Sequence, residues 1–93
     1  MVGLLTIKLH LRGCGSLKEK RGRLQPLMAR FRREYNVSVA EVGSQDSHQE
    51  AVMLCAMVNT SRRQLENSLQ KAGKWIEGNW PDGDVIQMSI EML

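Results

Sequence analysis

The amino-acid sequence predicts an α+β fold, with one four-stranded antiparallel sheet and two helices on a single face. Four segments have the apolar patterns of strands, and two repeat apolar residues at helical spacing. Their order, β-α-β-β-α-β, forms two β-α-β units whose right-handed crossovers put both helices on the same side. This order predicts a ferredoxin-like sandwich, built as a single domain over residues 1–93.

The first strand is predicted over residues 2–12, where apolar residues occupy alternate positions from Leu5 to Leu11. A glycine-containing turn over residues 13–15 ends it. Ser16 then begins a helix, because its hydroxyl can accept a hydrogen bond from the Glu19 N–H while Glu19 reaches back to the Ser16 N–H.

The first helix is predicted to be amphipathic and contains an internal proline. Its apolar stripe consists of Leu17, Leu24, Met28, Phe31 and Tyr35, and Leu27 widens it. Pro26 removes the hydrogen bond to the Gly22 carbonyl, at a cost of about 3 kcal/mol in a straight helix. Because Gly22 has no side chain and its carbonyl can tilt away, we expect a kink here rather than a break.

The pattern of the remaining sequence predicts two strands, a helix and a last strand. Residues 37–42 alternate, residues 43–48 form a polar loop, and residues 51–59 are apolar on both faces, as is typical of a central strand. Thr60 or Ser61 caps the second helix, whose apolar positions are Leu65, Leu69, Ala72 and Ile76. Residues 85–93 alternate again, with one face expected to hold Ile86, Met88, Ile90 and Met92.

Positive charge is concentrated in the first third of the chain. Residues 1–33 carry nine Lys or Arg and one acid, whereas residues 34–93 carry four Lys or Arg and nine acids. A field of one sign attracts phosphate, and guanidinium binds phosphate in bidentate fashion. We therefore predict RNA or ribonucleoprotein contact through the first helix, by Lys18, Lys20, Arg21, Arg23, Arg30, Arg32 and Arg33. The alternatives are an acidic protein partner, or a solvated helix whose cations pair with acids such as Glu41 and Glu50.

No group of residues has the spacing of a catalytic, metal or cofactor site. The polar segment 45–50 holds one Asp and one His, and it predicts a β-turn with local caps. The turn at residues 13–16 precedes a helix N-terminus but lacks the Gly-Lys-Ser/Thr ending of a phosphate loop. We therefore expect no catalytic residue, no metal and no cofactor, and a protein that is not an enzyme.

The sheet face without helices is the second candidate surface. None of the aromatic residues falls in a predicted strand, so bases are not expected to stack there; Trp75 and Trp80 are expected to pin the second helix to the last strand. The face would instead carry one face of the apolar segment 51–59, with Met53 or Met57 pointing outward, and four residues of the first strand: Leu4, Thr6, Lys8 and His10. Because an exposed apolar patch favours an interface, we expect a homo-oligomer, and a homo-oligomeric adaptor is the alternative function.

Two sequence blocks resemble a known family. Ser-Leu-Lys-Glu-Lys-Arg stands at residues 16–21, and Asn-Val-Ser-Val-Ala-Glu-Val at residues 36–42 precedes Gln45 and Asp46. In this order and spacing they resemble the YlxP-like family, small bacterial proteins with a domain of unknown function. The resemblance covers nearly the whole chain and implies a ferredoxin-like fold, with no established catalytic residues. Because genes of the family often neighbour those for transcription elongation, translation initiation and ribosome maturation factors, it implies a role near RNA or the ribosome.

The sequence favours a cytoplasmic protein. The N-terminal segment lacks a basic leader and a cleavage site, and no apolar run approaches the roughly 20 residues of a membrane-spanning helix. Cys14 and Cys55 are too few and too far apart for a disulfide framework, so we expect reduced thiols. Cys55 is expected to be buried, whereas Cys14 lies in the glycine turn and is expected to be exposed.

Overall fold

The computed structural model describes all residues, 1–93, and has the predicted order of elements. In chain order these are β1 (Val2–Leu11), α1 (Leu17–Tyr35), β2 (Ser38–Gly43), β3 (Glu50–Val58), α2 (Arg62–Asn79) and β4 (Gly83–Met92). Each element lies within a few residues of its predicted position, because the apolar periodicity marks where one side of the chain must be buried.

The four strands form one antiparallel sheet in the order β2-β3-β1-β4. β1 and β3 are central and pair along their length, from Val2 opposite Val58 to His10 opposite Glu50. The two helices cover one face of this sheet, where 19 apolar residues form the core. The predicted ferredoxin-like arrangement is confirmed, including the central position of β1 and β3.

Strand β3 buries the residues that were expected to point outward. Met53 lies opposite Ile7, and Cys55 lies opposite Leu5, so all four side chains face the helices. The prediction that Met53 or Met57 points outward is wrong. A strand that is apolar on both faces does not reveal which set is inside, because a register change of one residue exchanges the two faces.

A bulge between β1 and β4 changes the face of one predicted core residue. The pairing of the two strands shifts between Lys8 and Leu9, and Ile86 becomes the extra residue of β4. Ile86 is 51% exposed, whereas Val85 and Met88 pack against the core. The alternation expected over residues 85–93 therefore holds after the bulge and fails at Ile86.

Helix α1 begins at the predicted cap and continues through its proline. The Ser16 Oγ accepts a hydrogen bond from the Glu19 N–H at 3.0 Å. The Glu19 carboxylate accepts from the N–H of Gly15 at 2.9 Å, one residue before the expected donor. Pro26 is exposed and lies inside a single helix, so it does not break α1. Asn36 ends the helix in the left-handed conformation, with φ 52°.

The buried stripe of α1 is rotated relative to the prediction. Its buried residues are Lys20, Leu24, Leu27 and Phe31, while Leu17, Met28 and Tyr35 are only partly buried. At 100° per residue, the centre of the buried stripe is displaced by about 40° toward the side of Lys20. The displacement follows from packing, since α1 contacts α2 as well as the sheet.

Helix α2 packs closely on the centre of the sheet through its predicted apolar positions, all of which are buried. The Ser61 Oγ caps it by accepting from the Gln64 N–H at 3.2 Å. Two glycines permit the close approach. A Cβ atom on Gly73 would lie 2.7 Å from the Sδ of Met88, and one on Gly3 would lie 2.7 Å from the Cδ1 of Leu69.

Candidate nucleic-acid interface

The two helices carry most of the positive charge of the folded protein. α1 contains seven Lys or Arg and two acids, and α2 contains four Lys or Arg and two acids. The strands and loops contain two Lys or Arg and six acids. Because both helices lie on one side of the sheet, the fold separates a positive helical face from a net negative remainder.

Lys20 does not belong to this exposed positive face. Its side chain is 2% exposed, and its Nζ lies 2.6 Å from a carboxylate oxygen of Glu41. The Nζ also donates to the carbonyls of Ser44 and Ser47, at 2.7 and 2.8 Å. Two of its three donors are thus used by these carbonyls, and the Glu41 carboxylate pairs with its charge. The predicted phosphate contact by Lys20 is therefore wrong, because the rotation of α1 places this side chain under the β2–β3 loop.

Lys18, Arg21 and Arg32 form what we call the outer flank of α1. Lys18 and Arg21 are exposed and make no hydrogen bond or ion pair. Arg32 is exposed, and one guanidinium nitrogen donates to the Val39 carbonyl at 2.9 Å. That bond anchors the side chain on β2 and leaves other guanidinium donors available. The outer flank thus presents three cations that can contact a phosphate backbone.

Arg23 lies on the inner flank of α1, which faces α2, and is largely satisfied within the protein. Its Nη2 lies 2.6 Å from the Glu19 carboxylate, and its Nη1 donates to the carbonyls of Arg12 and Asp82, at 2.7 and 3.2 Å. The Gly15 N–H and then the Arg23 guanidinium lower the pKa of Glu19. Arg23 therefore joins α1 to two neighbouring loops at one end of the sheet, the loop after β1 and the loop before β4, and offers few free donors to a ligand.

Arg30 and Arg33 continue the inner flank beside an aromatic residue of α2. The guanidinium of Arg30 lies 4.1 Å from the ring centroid of Trp75, and its Nε lies 3.2 Å from a carboxylate oxygen of Glu34. The Arg33 side chain is 69% exposed. Trp75 also meets Phe31 edge to face, at 6.2 Å. Trp75 thus joins α2 to α1, and the expectation that it pins α2 to the last strand is wrong.

Trp80 follows α2 and lies where the chain turns into β4. A Cβ atom on Gly83 would lie 3.0 Å from the Cζ3 of Trp80, so the benzene edge of the indole rests on the start of β4. Trp75 and Trp80 therefore both lie beside the basic helix, about 50 residues further along the chain. The sequence contained no spacing signal for this, because only the packing of α2 against α1 brings them together.

The remaining polar candidates are occupied by local structure. The Ser47 Oγ accepts from the N–H groups of Gln49 and Glu50, which makes the 45–50 segment a locally capped turn, as predicted. Cys14 is 1% exposed, and its Sγ donates to the Ser16 carbonyl at 3.5 Å. The expectation that Cys14 is exposed is therefore wrong.

The open face of the sheet is divided into an apolar and a polar half. Over β2 and β3 most outward side chains are apolar: Ala40, Val42, Val52, Leu54, Ala56 and Val58. Ser38 and Glu50, at the ends of these strands, are the polar exceptions. Over β1 and β4 most are polar: Thr6, Lys8, His10, Gln87, Ser89 and Glu91. No aromatic residue lies on any strand, as predicted.

The fold and the charge distribution define a class, a ferredoxin-like α+β protein with a basic helical face. The chain belongs to the family described as "Protein of unknown function (DUF503)", whose model matches residues 2–90. It is 36% identical, over 77 residues, to the uncharacterized protein YlxP of Bacillus subtilis (strain 168). That match covers 83% of this chain and 84% of the relative, and it confirms the YlxP-like resemblance of the two sequence blocks.

Solved structures with this fold include an enzyme. SnoaB, a cofactor-independent oxygenase from Streptomyces nogalater, matches 99% of this chain and 92% of its own, with a TM-score of 0.60 and 8% identity. A structural-genomics protein, YJCS, matches 100% of this chain and 99% of its own, with a TM-score of 0.57 and 10% identity.

The prediction that this protein is not an enzyme is contradicted by the likeness to SnoaB and is withdrawn. The same fold supports catalysis without a cofactor in that protein, so the lack of a recognisable cofactor motif does not exclude catalysis. At 8% identity the likeness is one of fold, and it carries no oxygenase activity over to this chain. Neither helix has the length and hydrophobicity needed to cross a membrane.

Proposed function

We propose that this protein contacts RNA or a ribonucleoprotein through its helical face, in the cytoplasm and in connection with the ribosome. The observation that supports the proposal is the charge separation between the helices and the rest of the molecule. Eleven of the thirteen Lys and Arg lie in α1 and α2, with four acids among them. The outer flank, Lys18, Arg21 and Arg32, then supplies the most accessible contacts.

The chemistry of these contacts is electrostatic and independent of sequence. Lys and Arg bind phosphate oxygens, which position a protein on nucleic acid without reading bases. With three contacts, and about −0.7 per phosphate on a single strand, the slope of log K against log salt is expected near −2. Binding is therefore weak at physiological salt and much stronger at low salt.

Charge reversal on the outer flank tests the proposal. We expect the Lys18→Glu, Arg21→Glu, Arg32→Glu variant to lose retention of single-stranded RNA in a low-salt filter assay. The matched control reverses three exposed cations of α2: Arg63, Lys71 and Lys74. It should retain most of the binding, because α2 carries fewer cations than α1. Thermal melting by circular dichroism confirms that both variants are folded.

Two results would reject the proposal. One is that the parent protein is not retained on RNA at low salt. The other is that the outer-flank variant binds as tightly as the control variant. Co-sedimentation of the native protein with ribosomal subunits, at low and at high salt, then tests whether the RNA belongs to the ribosome.

A second candidate is a homo-oligomeric adaptor that associates through the open sheet face. The supporting observation is the apolar half of that face, where Val42 is 49% and Val58 is 74% exposed. We propose a second copy as the occupant, because a twofold axis through this face lets the apolar half of each copy cover that of the other. The helical face stays free in such a dimer, so RNA contact and self-association are compatible.

A further inference from the structure

A groove runs between the inner flank of α1 and the end of α2. It has a volume of about 430 Å³, which is within the range of small-molecule sites. Three arginines and two tryptophans line it: Arg23, Arg30, Arg33, Trp75 and Trp80. Asp82 is the acidic residue of the lining. No other cavity of the protein combines guanidinium and indole groups. We call it the Arg–Trp groove.

Arg30 provides a flat, charged surface inside the groove. Its guanidinium lies over one face of Trp75, at 4.1 Å from the ring centroid, and its buried Nε lies 3.2 Å from a Glu34 carboxylate oxygen without forming a hydrogen bond to it. The Arg30 side chain remains 38% exposed, so its guanidinium is restrained but not enclosed. A planar guanidinium that is fixed in this way can receive an aromatic ring on its open side, as arginines do for unpaired bases.

Arg33 provides an available cation next to that surface. Its side chain is the most exposed of the three arginines in the groove, and its only ion-pair distance is 4.0 Å, to Glu34. Arg23, by contrast, already donates to a carboxylate and two carbonyls and forms a fixed wall. Of the three arginines, Arg33 is therefore the one that can take a phosphate without losing a protein partner.

Trp80 also lines the groove. Its Nε1–H is buried and has no acceptor in the protein. Buried indole N–H groups usually have a hydrogen-bond partner, so this donor is left unsatisfied by the protein itself.

We infer that the Arg–Trp groove is a subsite for one nucleotide of the RNA that the helical face contacts, which makes the inference rest on the proposed function. The base stacks on the open side of Arg30, and the phosphate is bound by Arg33. An acidic protein segment would satisfy the charge of Arg33, but its carboxylates would leave the flat Arg30 surface unused. A nucleotide uses both groups.

The two tryptophans of the chain both line the groove, so their fluorescence reports its occupancy. Short oligouridylate, added to the whole protein at low salt, is expected to change the fluorescence saturably. The Arg30→Gln, Arg33→Gln variant should need roughly tenfold more oligouridylate, the order expected for one lost stacking contact. The matched control, Arg63→Gln with Lys74→Gln, removes two cations outside the groove and should bind as the parent does.

Filter retention of the same oligonucleotide, measured in parallel, distinguishes failure of the groove subsite from failure of the proposed RNA-binding function. If the groove variant retains RNA with the affinity of the parent, the RNA lies on the outer flank alone and the subsite is rejected, while the proposed function stands. If the parent retains no RNA, both are rejected. The subsite is also rejected if polyglutamate, which carries negative charge but no bases, binds as tightly as oligouridylate.

The groove variant changes a residue that packs on Trp75, so Arg33→Gln alone serves as the second variant. Arg33 is exposed, and its removal leaves the Arg30–Trp75 contact intact. Weaker fluorescence and retention responses to oligouridylate in this variant support the subsite. An unchanged response in a folded Arg33→Gln protein rejects the phosphate contact that the inference requires.

Discussion

Lys20 is a buried lysine that stabilises the fold, although lysines usually lie on the protein surface. Its ammonium joins α1 to Glu41 and to two carbonyls of the loop between β2 and β3. One of these carbonyls belongs to Ser44, which has a left-handed φ of 58°. A residue in that conformation needs support from its surroundings, and Lys20 supplies it.

Lys20→Met is expected to lower the free energy of unfolding by about 2–3 kcal/mol, because it leaves the Glu41 carboxylate without its countercharge and two carbonyls without their donor. This value is at or below the lower end of the range for removing one partner of a buried ion pair, because the Glu41 side chain is still 20% exposed. Urea denaturation measures the change. Lys18→Met is the control, and this exposed residue should change little. Equal stability of the two variants would show that the buried ion pair contributes nothing.

Cys55 should make the stability of the protein sensitive to alkaline pH. Burial raises the pKa of its thiol from 9.0 to about 12. The folded state therefore favours the protonated thiol, and this contribution is complete below pH 9 and is lost as pH rises toward 12. In the Cys55→Ala variant we expect a smaller loss of stability across this window, measured by urea denaturation. If the stability of parent and variant changes identically with pH, ionisation of Cys55 does not cause the alkaline loss of stability.

At the scale of elements, α1 is the helix whose sequence least favours a regular structure. Pro26 lies in its interior, yet the helix continues from Leu17 to Tyr35. Proline is tolerated here because it is exposed and because Gly22, whose carbonyl loses its partner, has open space around it. Packing of Leu24, Leu27 and Phe31 offsets the lost hydrogen bond.

Pro26→Ala is expected to stabilise the protein by about 2 kcal/mol, since the restored hydrogen bond outweighs the added freedom of the unfolded chain. The rise in melting temperature measures it. Gln25→Ala, at the neighbouring exposed position, is the control and should shift the melting temperature far less. A clearly less stable alanine variant would mean that Pro26 contributes more to stability than the missing hydrogen bond costs.

At the scale of the whole molecule, the fold gives the two faces of the sheet different chemistry. One face carries the helices and most of the positive charge, and the other is open and partly apolar. Leu54 lies near the centre of the open face, opposite Thr6 on one side and Ala40 on the other. The proposed dimer would bury it.

Leu54→Glu is expected to convert the proposed dimer to a monomer, because two carboxylates would be buried without partners at the twofold axis. Light scattering at micromolar concentration measures the mass. Ser89→Glu, on the polar half of the same face, is the matched control and should leave the mass unchanged. A parent protein that is already monomeric under these conditions would reject self-association through this face.

Much of the fold and part of the candidate site could be predicted from the sequence. The alternation from Leu5 to Leu11 and the cap at Ser16 are local, so they identified β1 and the start of α1 correctly. The face of Met53 and the exposure of Cys14 could not be read in this way. Both depend on residues far along the chain that cover one side of the segment.

The sequence by itself determined the order of elements, the ferredoxin-like topology and the basic character of α1, because periodicity and charge are properties of neighbouring residues. Only the tertiary structure decided which cations are available. The packing of α1 against α2 rotates Lys20 into the protein and leaves Lys18 and Arg21 outside. It also places Trp75 beside Arg30, a contact 45 residues apart in sequence. The burial of a helical side chain depends on what packs against it, and that partner lies elsewhere in the chain.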